Sequence, residues 1–169
     1  MDLPRQQDAR GEFVKLYAAS RLTALGIDFE LREQFCTRSH RGVLRGMHFQ
    51  VPPCAQVKLV SCIAGAVHDV LLDLRQGPDY GRVASVDLDA ARPALLVLPK
   101  GIAHGFLARN DHALMLYQTS HEYSAAHDMG VRWDSFGHDW GVAAPLLSER
   151  DRVHPALADF ASPFAGGPA

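Results

Sequence analysis

A mainly β fold, with two antiparallel sheets stacked as a jelly roll, is what this sequence predicts. Two observations carry the prediction. Apolar, β-branched runs recur at spacings of about ten residues through most of the chain, separated by glycine, proline or Asn/Asp turn signals. Helical periodicity is confined to one short segment, so the alternating helices that an open α/β sheet requires are missing. The chain has 169 residues, 47% hydrophobic and 21% charged, which suits one domain with a real core and excludes a disordered composition.

Residues 16–25, LYAASRLTAL, followed by Gly26, predict one short N-terminal helix ended by glycine. GIDFELRE at 26–33 alternates weakly, and RGVLRGMHF at 41–49 follows it as a strand. VKLVSCIAG and AVHDVLLDL, residues 57–74, read as two strands with Gly65 as the turn. GPDYG at 77–81 is a loop, and RVASVDLD at 82–89 alternates cleanly. RPALLVLPKG at 92–101 is a strand closed by Pro99 and Gly101. HGFLAR and HALMLYQTS, residues 104–109 and 112–120, are expected to pair across Asn110-Asp111. A few short helical turns complete the C-terminal part. The chain contains no repeat or linker, so a single domain is expected over 1–164. The tail FASPFAGGPA is expected to fray after residue 164, leaving 165–169 flexible. The pattern fits a jelly roll of the cupin kind best.

Composition narrows the function. A formal net charge of −2 argues against a nucleic-acid partner. No apolar run reaches membrane-spanning length, and the opening MDLPRQQDARGEF is polar, unlike a secretory segment. Cys36, Cys54 and Cys62 are odd in number and lack CxxC spacing, which points to reduced thiols in a cytoplasmic protein.

Polar residues inside apolar strands need partners, so they mark candidate chemistry. His48 in RGMHF, read alone, is a core histidine, a metal ligand or a base. Lys58 in VKLV points either outward to water or inward to a cavity, where it would create a positive pocket. Arg45 is a pocket-mouth cation or a solvated strand residue. His104 in AHGF could cap a strand end. Tyr117 in LYQTSHEY could be a core tyrosine, and Asp151 in LLSERDR an ordinary helix-start acid. A catalytic metal is disfavoured: His48 lacks the His-x-His spacing, and the acids from 49 to 121 are all aspartates. Together, however, a histidine, an aspartate, a tyrosine and a lysine suggest proton transfer with anion stabilisation.

The motifs RGVLRGMHFQ-x-PP-x-x-Q-x-KLV, G-x-x-x-DV-x-x-D-x-R, P-x-G-x-AHGF, LY-x-T-x-x-x-Y and LSERD run in order between residues 8 and 155. In this the chain closely resembles the dTDP-4-dehydrorhamnose 3,5-epimerase family. The resemblance implies a cupin-type jelly roll without metal or redox cofactor. It implies a homodimer whose N-terminal segments reach across to the partner, and a nucleotide-diphosphate 4-keto-6-deoxysugar as substrate. By motif, His48 would be the base, Asp151 its partner, Tyr117 the acid on the opposite face and Lys58 the holder of the enolate oxygen. His104 and Tyr123 would line the sugar pocket, Arg45 and Arg10 would meet the diphosphate, and Gln34, Asp128 and Arg150 stand at further substrate-binding positions.

The chain also departs from the family pattern. Glu33-Gln34-Phe35 stands where Gln-Asp-Asn is frequent, Lys15 where a glutamate is, Gln118 where a lysine is, and Trp133-Asp134-Ser135 where W-N-D is. These positions bear on the nucleotide and sugar; whether C3, C5 or both are inverted is open because both outcomes can use the same catalytic residues. A mono-epimerase, a keto-isomerase and a non-catalytic nucleotide-sugar-binding cupin are the alternative readings.

Overall fold

Alternating apolar side chains give each sheet two usable faces, and the computed structural model, described here over residues 1–165, uses both. A two-stranded hairpin, β1 (Arg5–Asp8) with β2 (Gly11–Val14), comes first, then helix α1 (Ala19–Ala24). Nine further strands form two antiparallel sheets. In chain order they are β3 (Glu33–Ser39), β4 (Leu44–Gln50), β5 (Lys58–Ala64), β6 (Ala66–Asp73), β7 (Val83–Asp89), β8 (Leu96–Leu98), β9 (Ile102–Ala108), β10 (Ala113–Thr119) and β11 (Asp128–Gly130). The four-stranded sheet runs β3-β10-β5-β8 and the five-stranded sheet β11-β4-β9-β6-β7. Helix α2 (Glu149–Arg152) and a 3-10 turn at Leu157–Asp159 follow. This is the expected mainly β jelly roll.

The layers follow from strand parity. Val60 and Cys62 of β5, Phe106 and Ala108 of β9, and Met115 and Tyr117 of β10 meet between the sheets. Leu59 faces the other way, against Leu22 of α1 and Leu3, so the N-terminal segment covers the four-stranded sheet. Met47, Phe49, Val70 and Leu72 face outward from the five-stranded sheet, beneath Val131, Trp140 and Phe164. Each large buried side chain contributes about 1.5–3 kcal/mol, so these clusters outweigh the cost of the charged groups buried among them.

Three expectations change. The helix is shorter than 16–25, because Gly26 at φ +70° ends it and its first residue is Ala19. The strand expected over 26–33 begins only at Glu33. HGFLAR and HALMLYQTS do not pair: β9 lies between β4 and β6, and β10 between β3 and β5. The chain crosses between sheets at Asn110, whose side chain accepts from the Ala66 N–H at 3.0 Å. Gly65 makes the companion crossing from β5 to β6, at φ +74° and against the same Asn110 side chain. The hairpin β1–β2 and strand β11 carried no strand signal, since all four residues of β1 are exposed and β11 has three residues. The expected flexible tail falls, apart from Ala165, outside the described residues.

One irregularity positions the chemistry. Between Arg45 and His48 of β4 the register with β9 slips, so that Arg45 opposes Phe106 and His48 opposes His104. The extra residue lets two side chains three apart face the same interior. Gly46 occupies this bulge at φ +142°, and a Cβ there would lie 2.4 Å from the Gly105 Cα. Gly46→Ala should therefore force β4 from β9. A loss on the order of 1–3 kcal/mol is expected, seen as a drop of several degrees in a calorimetric melt.

Candidate active site

Strand parity also decides which polar residues meet. Lys58 precedes Val60 and Cys62 on the inward face of β5, so its side chain enters the interior, and its ammonium donates to the His48 carbonyl at 3.2 Å. Tyr117 follows Met115 inward on β10. His48 and His104 face inward from neighbouring positions of β4 and β9. The result is a cavity of about 250 Å³ between the sheets. His48, Lys58, Tyr117, His104, Arg45, Tyr123, Asp128 and Arg150 all line it. Asp151 sits behind His48, buried, with only 3% of its surface exposed.

His48 Nε2 is 2.6 Å from Asp151 Oδ1. Burial alone would raise the Asp151 carboxyl, but the facing imidazoles of His154 and His48 hold it well below the usual carboxylate range. An ionised carboxylate only accepts, so Nε2 carries the proton and Nδ1 keeps the lone pair. Burial pushes His48 below its ordinary value, against the pull of Asp151, which favours the neutral ring. Ser148 caps α2 by accepting from the Asp151 N–H at 3.1 Å, and this fixes the carboxylate in the sequence LSERD.

On the facing sheet, burial brings Lys58 down to about 8. Burial also raises the Tyr117 phenol above its ordinary value, so it stays protonated at neutral pH. Phe35 lies flat on Tyr117, with ring centroids 4.7 Å apart and planes at 11°, and fixes the orientation of the phenol ring. His104 meets Tyr117 edge-on at 6.0 Å and shares its Nε2 proton with Asp69 Oδ2 at 2.7 Å. Asp69 is fully buried, which raises its carboxyl against the opposing effect of His104.

Two cations frame the mouth. Arg45 donates through Nε to Ser39 Oγ at 3.0 Å. Arg150 pairs with Asp128 at 2.6 Å. Gln50 braces the rim by donating to the Cys54 and Glu122 carbonyls and accepting from the Ser124 N–H. Tyr123 stands at the edge, 62% exposed, its N–H donated to Glu33.

Two expected site residues lie elsewhere in this chain. Gln34 opposes Gln118 across β3 and β10, and the two amides bond to each other at 2.8 Å. Because Tyr117 points inward, Gln118 and Gln34 point outward; Glu33 and Phe35 take the cavity side instead. Arg10 is at the tip of the β1–β2 hairpin, ion-paired to Asp8 at 2.6 Å and exposed to solvent. Residues not singled out from the sequence include Asp69, Gln50 and His154. Asp69 left one usable signal, an acid directly before the apolar run Val70-Leu71-Leu72.

His48, Asp151 and His154 place their donor atoms within 4.8 Å of one another, a spacing that could in principle hold a metal ion. The set does not fit a cation well. The 2.6 Å spacing is that of a hydrogen bond, and Lys58 and Arg150 place two positive charges beside His48. The arrangement is instead one for moving protons: a neutral imidazole backed by a carboxylate on one sheet, a protonated phenol on the other, and a buried ammonium beside the imidazole.

Known proteins match this chain closely. The family model for dTDP-4-dehydrorhamnose 3,5-epimerase matches residues 1–159. The dTDP-4-dehydrorhamnose 3,5-epimerase of Shigella flexneri is 38% identical over 148 residues, 85% of this chain and 82% of the relative. The one from Streptomyces griseus is 42% identical over 159 residues, 90% of this chain and 78% of the relative. A crystal structure of the Legionella pneumophila dTDP-6-deoxy-D-glucose-3,5-epimerase in complex with dTDP-4-keto-L-rhamnose superposes with a TM-score of 0.93 at 30% identity. It covers 99% of this chain and 92% of that one.

Proposed function

Because the chain belongs to the dTDP-4-dehydrorhamnose 3,5-epimerase family, we propose that it inverts C3 and C5 of a dTDP-linked 4-keto-6-deoxyhexose. The observation that carries the reading is the placing of His48 and Tyr117 on opposite walls of one cavity, with Lys58 between the sheets. The C4 ketone acidifies the hydrogens on C3 and C5. His48 Nδ1 takes one of them, and the electron pair moves onto the C4 oxygen as an enolate. Lys58 stabilises that oxyanion, so one ammonium serves both carbons. Tyr117 donates its phenolic proton from the other face, and the carbon returns inverted. The proton on His48 and the proton needed by Tyr117 then exchange with solvent. Asp151 holds the Nε2–H tautomer throughout.

Diphosphate recognition falls to Arg45 and Arg150 at the mouth, whose guanidinium groups suit phosphate oxygens. The cavity is smaller than most ligand sites, about 300–1,000 Å³, so the nucleotide extends beyond it. The β1–β2 strands pair only with each other, and Phe13 is 59% exposed. A two-stranded ribbon is marginal alone, which supports a homodimer in which this hairpin, with Arg10, docks on the partner. Cys36, Cys54 and Cys62 are free thiols, which suits a reducing compartment such as the cytoplasm. No helix among the described residues is long and apolar enough to cross a membrane.

The test is proton NMR of the purified protein with a dTDP-4-keto-6-deoxyhexose in D₂O. Deuterium at C3 and C5 with inversion at both is expected. Entry at one carbon would make the protein a mono-epimerase, and no entry at either would overturn the reading.

The rate should also trace a bell against pH. It falls on the acid side as His48 takes a proton, at a pH below the ordinary histidine value. It falls on the alkaline side as Lys58, held down to about 8, loses its charge. Deuterium wash-in followed from pH 5 to 10 checks both limbs; a rate still rising above pH 9 would remove Lys58 from its role.

A further inference from the structure

Asp151 faces two imidazoles. His48 Nε2 lies 2.6 Å from Oδ1, and His154 Nε2 lies 3.5 Å from the same oxygen. The two rings meet edge-to-face at 5.7 Å. His154 is three residues beyond Asp151, just past α2, and its side chain is only 10% exposed. Its Nε2 is buried and makes no hydrogen bond, the 3.5 Å approach to Asp151 being a charge contact. A buried N–H without a partner costs free energy unless a charge faces it, and among the described residues the carboxylate facing it is Asp151. The packing leaves room for this ring in one direction: a Cβ on Gly130 of β11 would lie 2.3 Å from His154 Nε2. Gly130 opposes His48 in the β11–β4 ladder, so the glycine that admits His154 lies beside the proposed base.

We propose that His154 is a positioning residue that shares the Asp151 carboxylate with His48 and so keeps His48 a neutral proton acceptor. The proposal rests on the reading of His48 as the base. A carboxylate given wholly to one imidazole would stabilise its imidazolium strongly, and the ring would be filled with a proton at working pH. A second N–H aimed at Oδ1 draws off part of that negative charge while keeping Asp151 ionised and the Nε2–H tautomer in place. His154 touches no cavity surface and moves no proton of the substrate. The other charged or titratable groups facing His48 are Lys58 on β5, Arg150 on α2 and His104, its partner on β9. Lys58 and Arg150 also disfavour its charged form, but neither holds the carboxylate.

Two readouts separate this role from mere packing. In the wild-type protein, ¹⁵N-labelled histidines followed by NMR over pH 4–9 should show the His154 Nε2 signal moving in step with protonation of His48, because both rings face the same carboxylate oxygen. A His154 signal that ignores the protonation of His48 would overturn the proposal without any variant. In the deuterium wash-in assay, His154→Phe keeps a planar ring but no N–H. Its acid limb should move to higher pH by about half a unit, roughly a threefold change in proton affinity, with KM within about twofold. Gly130→Ala, which pushes the imidazole off Oδ1, should move the limb the same way, and His154→Gln, which restores a donor, should bring it back. An acid limb fixed at its wild-type position in His154→Phe and Gly130→Ala would refute the sharing. If the wild-type protein exchanges no deuterium at all, the epimerase reading fails instead, and the histidine titrations still decide whether the carboxylate is shared.

Discussion

Replacing His48 by Asn should lower the epimerisation rate by roughly 10²–10⁴-fold, the range for loss of a general base, while the melting temperature stays near wild type. The side chain lines a cavity, with 30% of it exposed, so little packing is lost. Asn keeps a polar group opposite Asp151, which avoids leaving a buried carboxylate without a partner. The variant also asks whether one base serves both carbons. If it does, deuterium entry at C3 and at C5 should fall together in the NMR assay. Loss at one carbon alone would require a second base, and His104, backed by the buried Asp69, is the group placed to be one. A rate within tenfold of wild type would remove His48 from the mechanism.

Lys58→Met should move activity and stability in opposite directions. Activity should drop by about 10²–10³-fold, the scale of losing one preorganised donor to a developing oxyanion. Stability should rise at neutral pH. The folded-state value of Lys58 is held near 8, below its unfolded value, so the charged form is the one that folding disfavours. That cost is fully present below about 8 and fades as pH rises toward the unfolded value. At pH 7 it amounts to about 3 kcal/mol at most. Methionine has similar length, fills the same space and carries no charge. Calorimetry at pH 7 should therefore show a higher melting temperature for the variant, and at pH 10 the gap should narrow. A variant that is both active and less stable would mean that Lys58 is a structural cation.

The strands of the sandwich were legible because their apolar residues alternate where one face is buried and run together where both are. VKLVSCIAG and AVHDVLLDL were read within a residue or two of β5 and β6. Pairing was less legible. Asn110-Asp111 looks like a hairpin turn by local chemistry, yet the strands on either side belong to different sheets, a choice made by long-range partners. The hairpin β1–β2 left no alternation to read, because in this chain neither of its faces is covered by a sheet. In the candidate site, His48, Lys58, Tyr117, His104 and Asp151 were each visible as polar residues in apolar or motif settings. Gln34, expected at a substrate-binding position, faces away from the cavity beside Gln118, because strand parity gives the cavity side to its neighbours Glu33 and Phe35. His154 was invisible, since Val153 and Pro155 beside it give no period from which its direction could be inferred.

The bulge at Gly46 and the parity of β5 and β10 have a joint effect on geometry. Base and acid hang from different sheets, so the gap between them equals the thickness of the sandwich, about 10 Å between stacked sheets, less the reach of two side chains. Cys62, Met115 and Val60, which do not line the cavity, then act as spacers in a fixed-jaw gauge. Trimming or enlarging one of them would narrow or widen the jaws without altering any reacting group. The tolerance of the site for bulkier or slimmer sugar rings should therefore be adjustable from the core.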